Sequence, residues 1–175
     1  EKRILEFLNQ QEIIAKISNI FNTSGKFEGK VNKMLKSIGK NTEASRVSIL
    51  DIDYKSNSAI SKYEWCKKNI PAKGKFELQY FDLPKREEQM MRKGNYKISD
   101  IRMELDDKHR HVFEKYNIKS FLLTPIKVEN KLAALLFIEE CKFYRTWHAL
   151  EISLMKTIAN RSEERRVGKE CATGC

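Results

Sequence analysis

The sequence predicts an α+β fold in three layers, a central antiparallel sheet of five or six strands with helices on both sides. Three observations carry this. Two strand-like pairs, residues 46–52 with 59–66 and 121–128 with 132–139, are each joined by a short polar turn. The second pair is apolar at both alternating sets of positions, so each of its faces requires cover. Stretches with helical apolar spacing stand at both ends of the chain and can supply it.

The elements follow in order. In residues 1–22, Phe7, Ile14 and Phe21 stand seven apart with Ile17 between them, a weak heptad that suits a linker helix arriving from an upstream partner. "NTSGKFEG" (22–29) interrupts it with two glycines, and Val31, Met34, Leu35 and Ile38 then mark one stripe of a second helix. "RVSILDI" (46–52) and "AISKYEWC" (59–66) form a hairpin around the turn residues "DYKSNS". Residues 67–84 contain two prolines, a glycine and aromatics without a clean period, which predicts a long loop with one irregular strand. Long loops on compact domains are frequent places of ligand contact.

"KREEQMMRKG" (85–94) fits a short helix stopped by Gly94, and "YKIS" (96–99) a brief strand. A helix over 106–116 would bury Val112, Phe113 and Tyr116, with Asn117 as a left-handed stop. The apolar hairpin turns at Asn130. Thr146 is expected to cap a last helix with a Leu150, Leu154, Ile158 stripe ending near Asn160.

A chain of 175 residues suits one domain, and 41% hydrophobic with 33% charged residues is a globular composition. The net charge is +10, but the lysines are spread along the chain, which favours a solvated surface over a nucleic-acid stripe. Tyr63, Trp65, Phe76 and Tyr80 leave weak, sequence-blind binding as the most that reading allows. The residues 161–171, "RSEERRVGKEC", resemble translated sequencing-adapter read-through, so 161–175 is expected to be a non-native tail outside the fold. A genuine basic tail with two cysteines is the alternative. On the first reading the protein continues past Asn160 into a segment not seen here. Cys66 and Cys141 then remain, too few and too far apart for a disulfide framework or a zinc site, and a cytoplasmic home is expected. No membrane contact is expected of this fragment.

Four stretches, "RVSILDID" (46–53), "YEWC" (63–66), "NIKSFLLTPIKVENKLAALLFIEE" (117–140) and "RTWHALEISLMKTIAN" (145–160), together resemble a GAF domain over residues 4–160. Family members usually carry Gly where Asn117 stands and often where Ala134 stands; Asn tolerates the left-handed conformation and Ala is nearly as small. The resemblance implies a linker helix over 1–22, a sensory domain over 23–160, terminal helices on one sheet face, and short helices with a loop over a ligand pocket on the other. It further implies a bacterial signalling protein of the sensor histidine kinase or cyclic-dinucleotide enzyme type, with an unknown small-molecule ligand and a downstream output domain. Linker helices of this kind pair, so a parallel homodimer is expected.

Pocket candidates are Trp65, Ile98, Asp100, Tyr116, Phe121 and Leu123. Trp65 is either a stacking platform or a half-buried core aromatic. Asp100 either accepts from a ligand or caps the turn that begins there. Ile98, Phe121 and Leu123 serve equally as pocket wall or core. No cofactor, metal or catalytic group is expected: His109 and His111 are two apart on a helix and diverge, and His148 stands alone. Cys66 has no adjacent His of the kind that bilin attachment would suggest, and the "NKFDE" stretch of cyclic-nucleotide-binding relatives is absent. The readings beside the sensory one are a redox enzyme similar to the GAF-fold free methionine sulfoxide reductases, using Cys66 and Cys141, and a ligand-free dimerisation spacer.

Overall fold

The computed structural model describes residues 1–79, 90 and 92–173, with side chains through residue 161. Tyr80, most of the helix predicted over 85–94 and the side chains of the tail lie outside them.

The chain opens with helices α1 (Lys2–Asn22) and α2 (Phe27–Thr42), then strands β1 (Arg46–Asp53), β2 (Ser58–Cys66), β3 (Glu77–Gln79) and β4 (Tyr96–Ile98). Short helices α3 (Ile101–Glu104) and α4 (Asp107–Glu114) lead into β5 (Ser120–Val128), β6 (Lys131–Glu140) and the closing helix α5 (Ala149–Thr173). The six strands form one antiparallel sheet in the order β3-β2-β1-β6-β5-β4. The first and last long strands therefore pair at its centre, Arg46 opposite Glu139.

Alternation sends side chains to two cores. One, beneath α1, α2 and α5, gathers Ile17, Leu35, Ile38, Val47, Leu122, Leu136, Ile138, Met155 and Ile158. The other, beneath residues 67–79 and α3–α4, gathers Leu50, Phe76, Leu78, Met90, Ile98, Phe113, Phe121, Leu123 and Phe137. This settles the two-sided apolar hairpin: Leu122 and Ile126 face the helices, Phe121 and Leu123 the opposite layer. A bulge that skips Lys62 opposite Ile49/Leu50 lets Glu64 and Ala59, five residues apart, share a face. Pro125 is tolerated in β5 because β4 pairs only with residues 121–123 and demands no N–H beyond them.

The turns behave as their residues require. Gly94 (φ 77°) closes on Met90 O at 2.8 Å, Asn117 sits at φ 59°, and Glu129-Asn130 turn the hairpin at φ 51° and 63°.

The last helix differs from expectation in three respects. Thr146 does not cap it: α5 begins at Ala149, and the His148 N–H donates to Glu151 Oε2 at 3.1 Å. Trp147, buried and donating from Nε1 to Ile98 O at 3.1 Å, ties the chain to the sheet ahead of the helix. Leu150 is 42% exposed, so the buried stripe is Leu154, Met155, Ile158 and Ala159. The α5 backbone also stays helical past Asn160 to Thr173. Among the described residues no helix is long and apolar enough to cross a membrane.

Candidate functional site

The face away from the terminal helices holds five of the six predicted site residues. Ile98 pairs across the sheet with Phe121, Leu123 pairs with Tyr96, and the Tyr116 ring meets Phe76 edge-on at 5.1 Å. Asp100 lies beside them, capping α3: Oδ1 accepts from the Arg102 N–H at 2.9 Å while Arg102 closes on Oδ2 at 2.8 Å. Trp65 does not belong to this group. It points to the helix face, where its ring lies so near Gly39 that a Cβ there would meet ring carbons at 2.0–2.7 Å. Its strand neighbours alternate the other way, so Glu64 and Cys66 face the candidate site instead.

Where the sequence predicts a pocket, the described residues are packed against one another. Phe76, Phe113, Phe121 and Phe137 are each 0% exposed. Ring centroids lie 4.4 Å apart for Phe113–Phe121, 5.7 Å for Phe121–Phe137 and 5.8 Å for Phe76–Phe137. Among the described residues this part of the face holds those rings and, beside them, a set of charges.

That set is Arg46, Glu64, Lys73 and Glu139. Arg46 Nε and Lys73 Nζ both donate to Glu139 Oε2 at 2.7 Å. Lys73 Nζ also meets Glu64 Oε2 at 2.8 Å and Ser48 Oγ at 3.2 Å, and stands 5.1 Å from the centroids of both Phe76 and Phe137. The Lys73 and Glu139 side chains are 0% exposed, Arg46 2% and Glu64 13%. Two positive and two negative groups thus balance within a largely buried region, which is the condition for burying them at all.

Arg46 spends its remaining donors on backbone: Nη1 on Pro71 O at 2.7 Å and Nη2 on Tyr116 O at 2.6 Å, with Cys141 Sγ 3.2 Å from Nη2. It therefore ties the β2–β3 connection and the end of α4 to the sheet. Burial opposes its charge, but Glu139 prevails and holds the guanidinium above its ordinary pKa. Burial likewise opposes ionisation of Glu64, yet the Lys73 ammonium and its hydrogen bonds hold that carboxyl below the usual glutamate range.

Cys66 and Cys141 border the cluster, and both are free. Burial, with Glu64 close by, pushes the Cys66 thiol up to about 11; burial also raises Cys141, against the pull of Arg46. Neither has the depressed pKa that a nucleophilic or redox-active thiol requires. His109 and His111 serve their own helix: His109 meets Asp106 at 2.5 Å and His111 meets Glu114 at 3.1 Å. Of the aromatics that suggested nucleic acid, Trp65 and Phe76 are packed within the two cores.

On the helix side, Glu140 organises a second polar cluster. Its Oε2 accepts from Ser45 Oγ at 2.7 Å and its Oε1 from Arg145 Nη1 at 3.4 Å. Arg145 Nη2 reaches Thr42 O at the end of α2, at 2.6 Å, and the Glu151 carboxylate in the first turn of α5.

Sequence reading missed the charged set. Arg46 opening an apolar strand and Glu139 closing another of opposite sign were a legible hint. Lys73 had no local signal, being an ordinary lysine in a loop.

A family model described as GAF domain matches residues 28–164, and the chain belongs to that family. Solved structures share the fold at low identity. The phycocyanobilin-bound GAF domain of a cyanobacterial phytochrome is 18% identical, covering 86% of this chain and 90% of that one, TM-score 0.74. The GAF domain of an Acinetobacter phosphoenolpyruvate-protein phosphotransferase is 12% identical, covering 95% and 98%, TM-score 0.70. The chromophore-binding domain of a bacteriophytochrome from R. palustris is 13% identical and covers 99% of this chain but 64% of that one, TM-score 0.77. No curated protein sequence matches.

Proposed function

We propose that this chain is a non-catalytic sensory domain of a cytoplasmic signalling protein. A small molecule is read on the β2–β4 side of the sheet, and occupancy passes through the terminal helices to an output domain of the histidine kinase or cyclic-dinucleotide class. The observation that carries the reading is a pair of adjacent pairs. Arg46 bonds Glu139 on the candidate face while Ser45, its neighbour, bonds Glu140 on the helix face. A shift of either central strand at this point alters both clusters, and through Arg145 the ends of α2 and α5. Family membership and the two raised thiols favour sensing over redox chemistry.

The terminal helices supply the output. Ile14 and Ile17 of α1 are buried, whereas Ile4, Leu5, Phe7 and Leu8 are 54–64% exposed, an apolar stretch suited to the same stretch of a second copy in a parallel dimer. The test is hydrogen–deuterium exchange of the protein against a library of small metabolites. The reading expects at least one compound to change protection of the β2–β3 connection and of α1 or α5 together. A library that binds nothing, or binds without moving the helices, overturns it.

A further inference from the structure

We propose that the space filled by the Lys73 ammonium is a recognition site for a small organic cation bearing more than one N–H group, such as a diamine or a guanidine, which enters by displacing Lys73. The proposal rests on the sensory reading and gives the ligand class for the same face.

The surroundings of Lys73 Nζ are those that select an ammonium: carboxylates at 2.7 and 2.8 Å, a hydroxyl at 3.2 Å, and two phenyl rings at 5.1 Å. The lysine is brought there by a connection without helix or strand, 67–76. Besides the Lys73 ammonium, four bonds tether that stretch to the sheet: the Lys67 N–H to Ser45 O at 2.9 Å, Pro71 O to Arg46, the Lys73 N–H to Glu64 Oε1 at 2.9 Å, and Phe76 O to the Ser61 N–H at 2.9 Å. It is a tethered occupant, not part of the rigid sheet.

Charge restricts what can replace it. With Lys73 gone, Arg46 alone faces Glu64 and Glu139, so a neutral or anionic replacement leaves a buried carboxylate without compensation. One positive group set in its place leaves the buried balance unchanged, and the second charge of a diamine or of agmatine has to stay at the solvent edge by Glu64. The second observation is Glu139 itself. Its Oε2 takes both cations, while Oε1, on the same carbon, is buried with no hydrogen-bond partner among the described residues. The three ammonium protons of Lys73 are matched by Ser48, Glu64 and Glu139 Oε2. A ligand with a further N–H group satisfies the oxygen that Lys73 leaves bare. Entry is past Glu64, the cluster member with the most exposure, at 13%.

The experiment measures calorimetric binding and thermal midpoint for the whole chain and for Lys73→Ala with 1,4-diaminobutane, agmatine, tetramethylammonium and glutarate. Removing the tethered competitor is expected to tighten diaminobutane or agmatine binding by about tenfold or more, because the binding-competent state is then fully populated. Glu139→Gln added to that variant abolishes the gain, and tetramethylammonium, with no N–H, and glutarate, with the wrong charge, give none. If Lys73→Ala folds poorly, the parent protein decides: the amines raise deuterium exchange over residues 67–76, and the controls do not. Absence of cation-selective binding in the variant, or of loop release in the parent where the variant does not fold, overturns the proposal. Amine binding that leaves α1 and α5 unmoved keeps this site and sinks the sensory reading. An uncharged ligand that moves those helices with Lys73 in place does the reverse.

Discussion

Glu139 and Glu140 are consecutive on β6, yet their carboxylates are buried on opposite faces of the sheet, 0% and 2% exposed. One holds Arg46 and Lys73 over the candidate site; the other holds Ser45 and Arg145 beneath the helices. The period of two in a strand makes such neighbours the shortest route from one layer to the other.

Arg145→Ala removes one side chain that joins Glu140, Thr42 O and Glu151. Because the residue is mostly buried and leaves Glu140 short of a partner, the expected loss is about 2–3 kcal/mol. Urea unfolding checks it, read as a lower midpoint at an unchanged slope.

Acid should loosen the candidate face. The Glu64 carboxyl is depressed in the folded state, so its contribution is complete above the ordinary glutamate value, about 4.3, and is lost as pH falls below that through the folded value. Thermal midpoints recorded between pH 7 and pH 3 should drop more steeply for the parent than for Glu64→Gln, which is less stable at neutral pH but lacks this titration. Equal slopes would refute the linkage.

Gly39→Ala sets two effects against each other. Alanine favours a helix interior by about 1 kcal/mol over glycine. Its methyl, however, would meet the Trp65 ring at 2.0–2.7 Å, and overpacking of this kind costs about 1–3 kcal/mol. Net destabilisation is expected in the parent. In a Trp65→Leu background the same change should stabilise, a reversal of sign that a double-mutant cycle reads directly.

Cys66, with its thiol near 11, should alkylate slowly with iodoacetamide at pH 7–8 and speed up only as pH approaches that value. Cys66→Ser should leave ligand response intact. Rapid labelling at neutral pH would reopen the redox reading.

Phe7→Asp together with Leu8→Asp should weaken self-association without unfolding the domain, since both side chains are more than half exposed while Ile14 and Ile17 hold α1 in place. Sedimentation velocity of the parent and the variant is the check. A parent that stays monomeric at high concentration removes the dimer.

The sequence by itself determined the layers. Apolar alternation in 121–139, helical stripes at both ends and turn residues at Asn117 and Asn130 placed five strands and the long helices, because those signals act within a few residues of one another. Contacts made at a distance were beyond its reach. Trp65 went to the helix face because β1 and β2 set its phase and Gly39 leaves room for its ring. Thr146 lost its cap because Trp147 is drawn onto Ile98 O. Lys73, an unmarked lysine in a loop, became the centre of the candidate site when pairing of β1 with β6 brought Ser48 and Glu139 beneath it, 25 and 66 residues away. Burial of charge is decided by which opposite charge folding brings alongside, and only the tertiary structure supplies that.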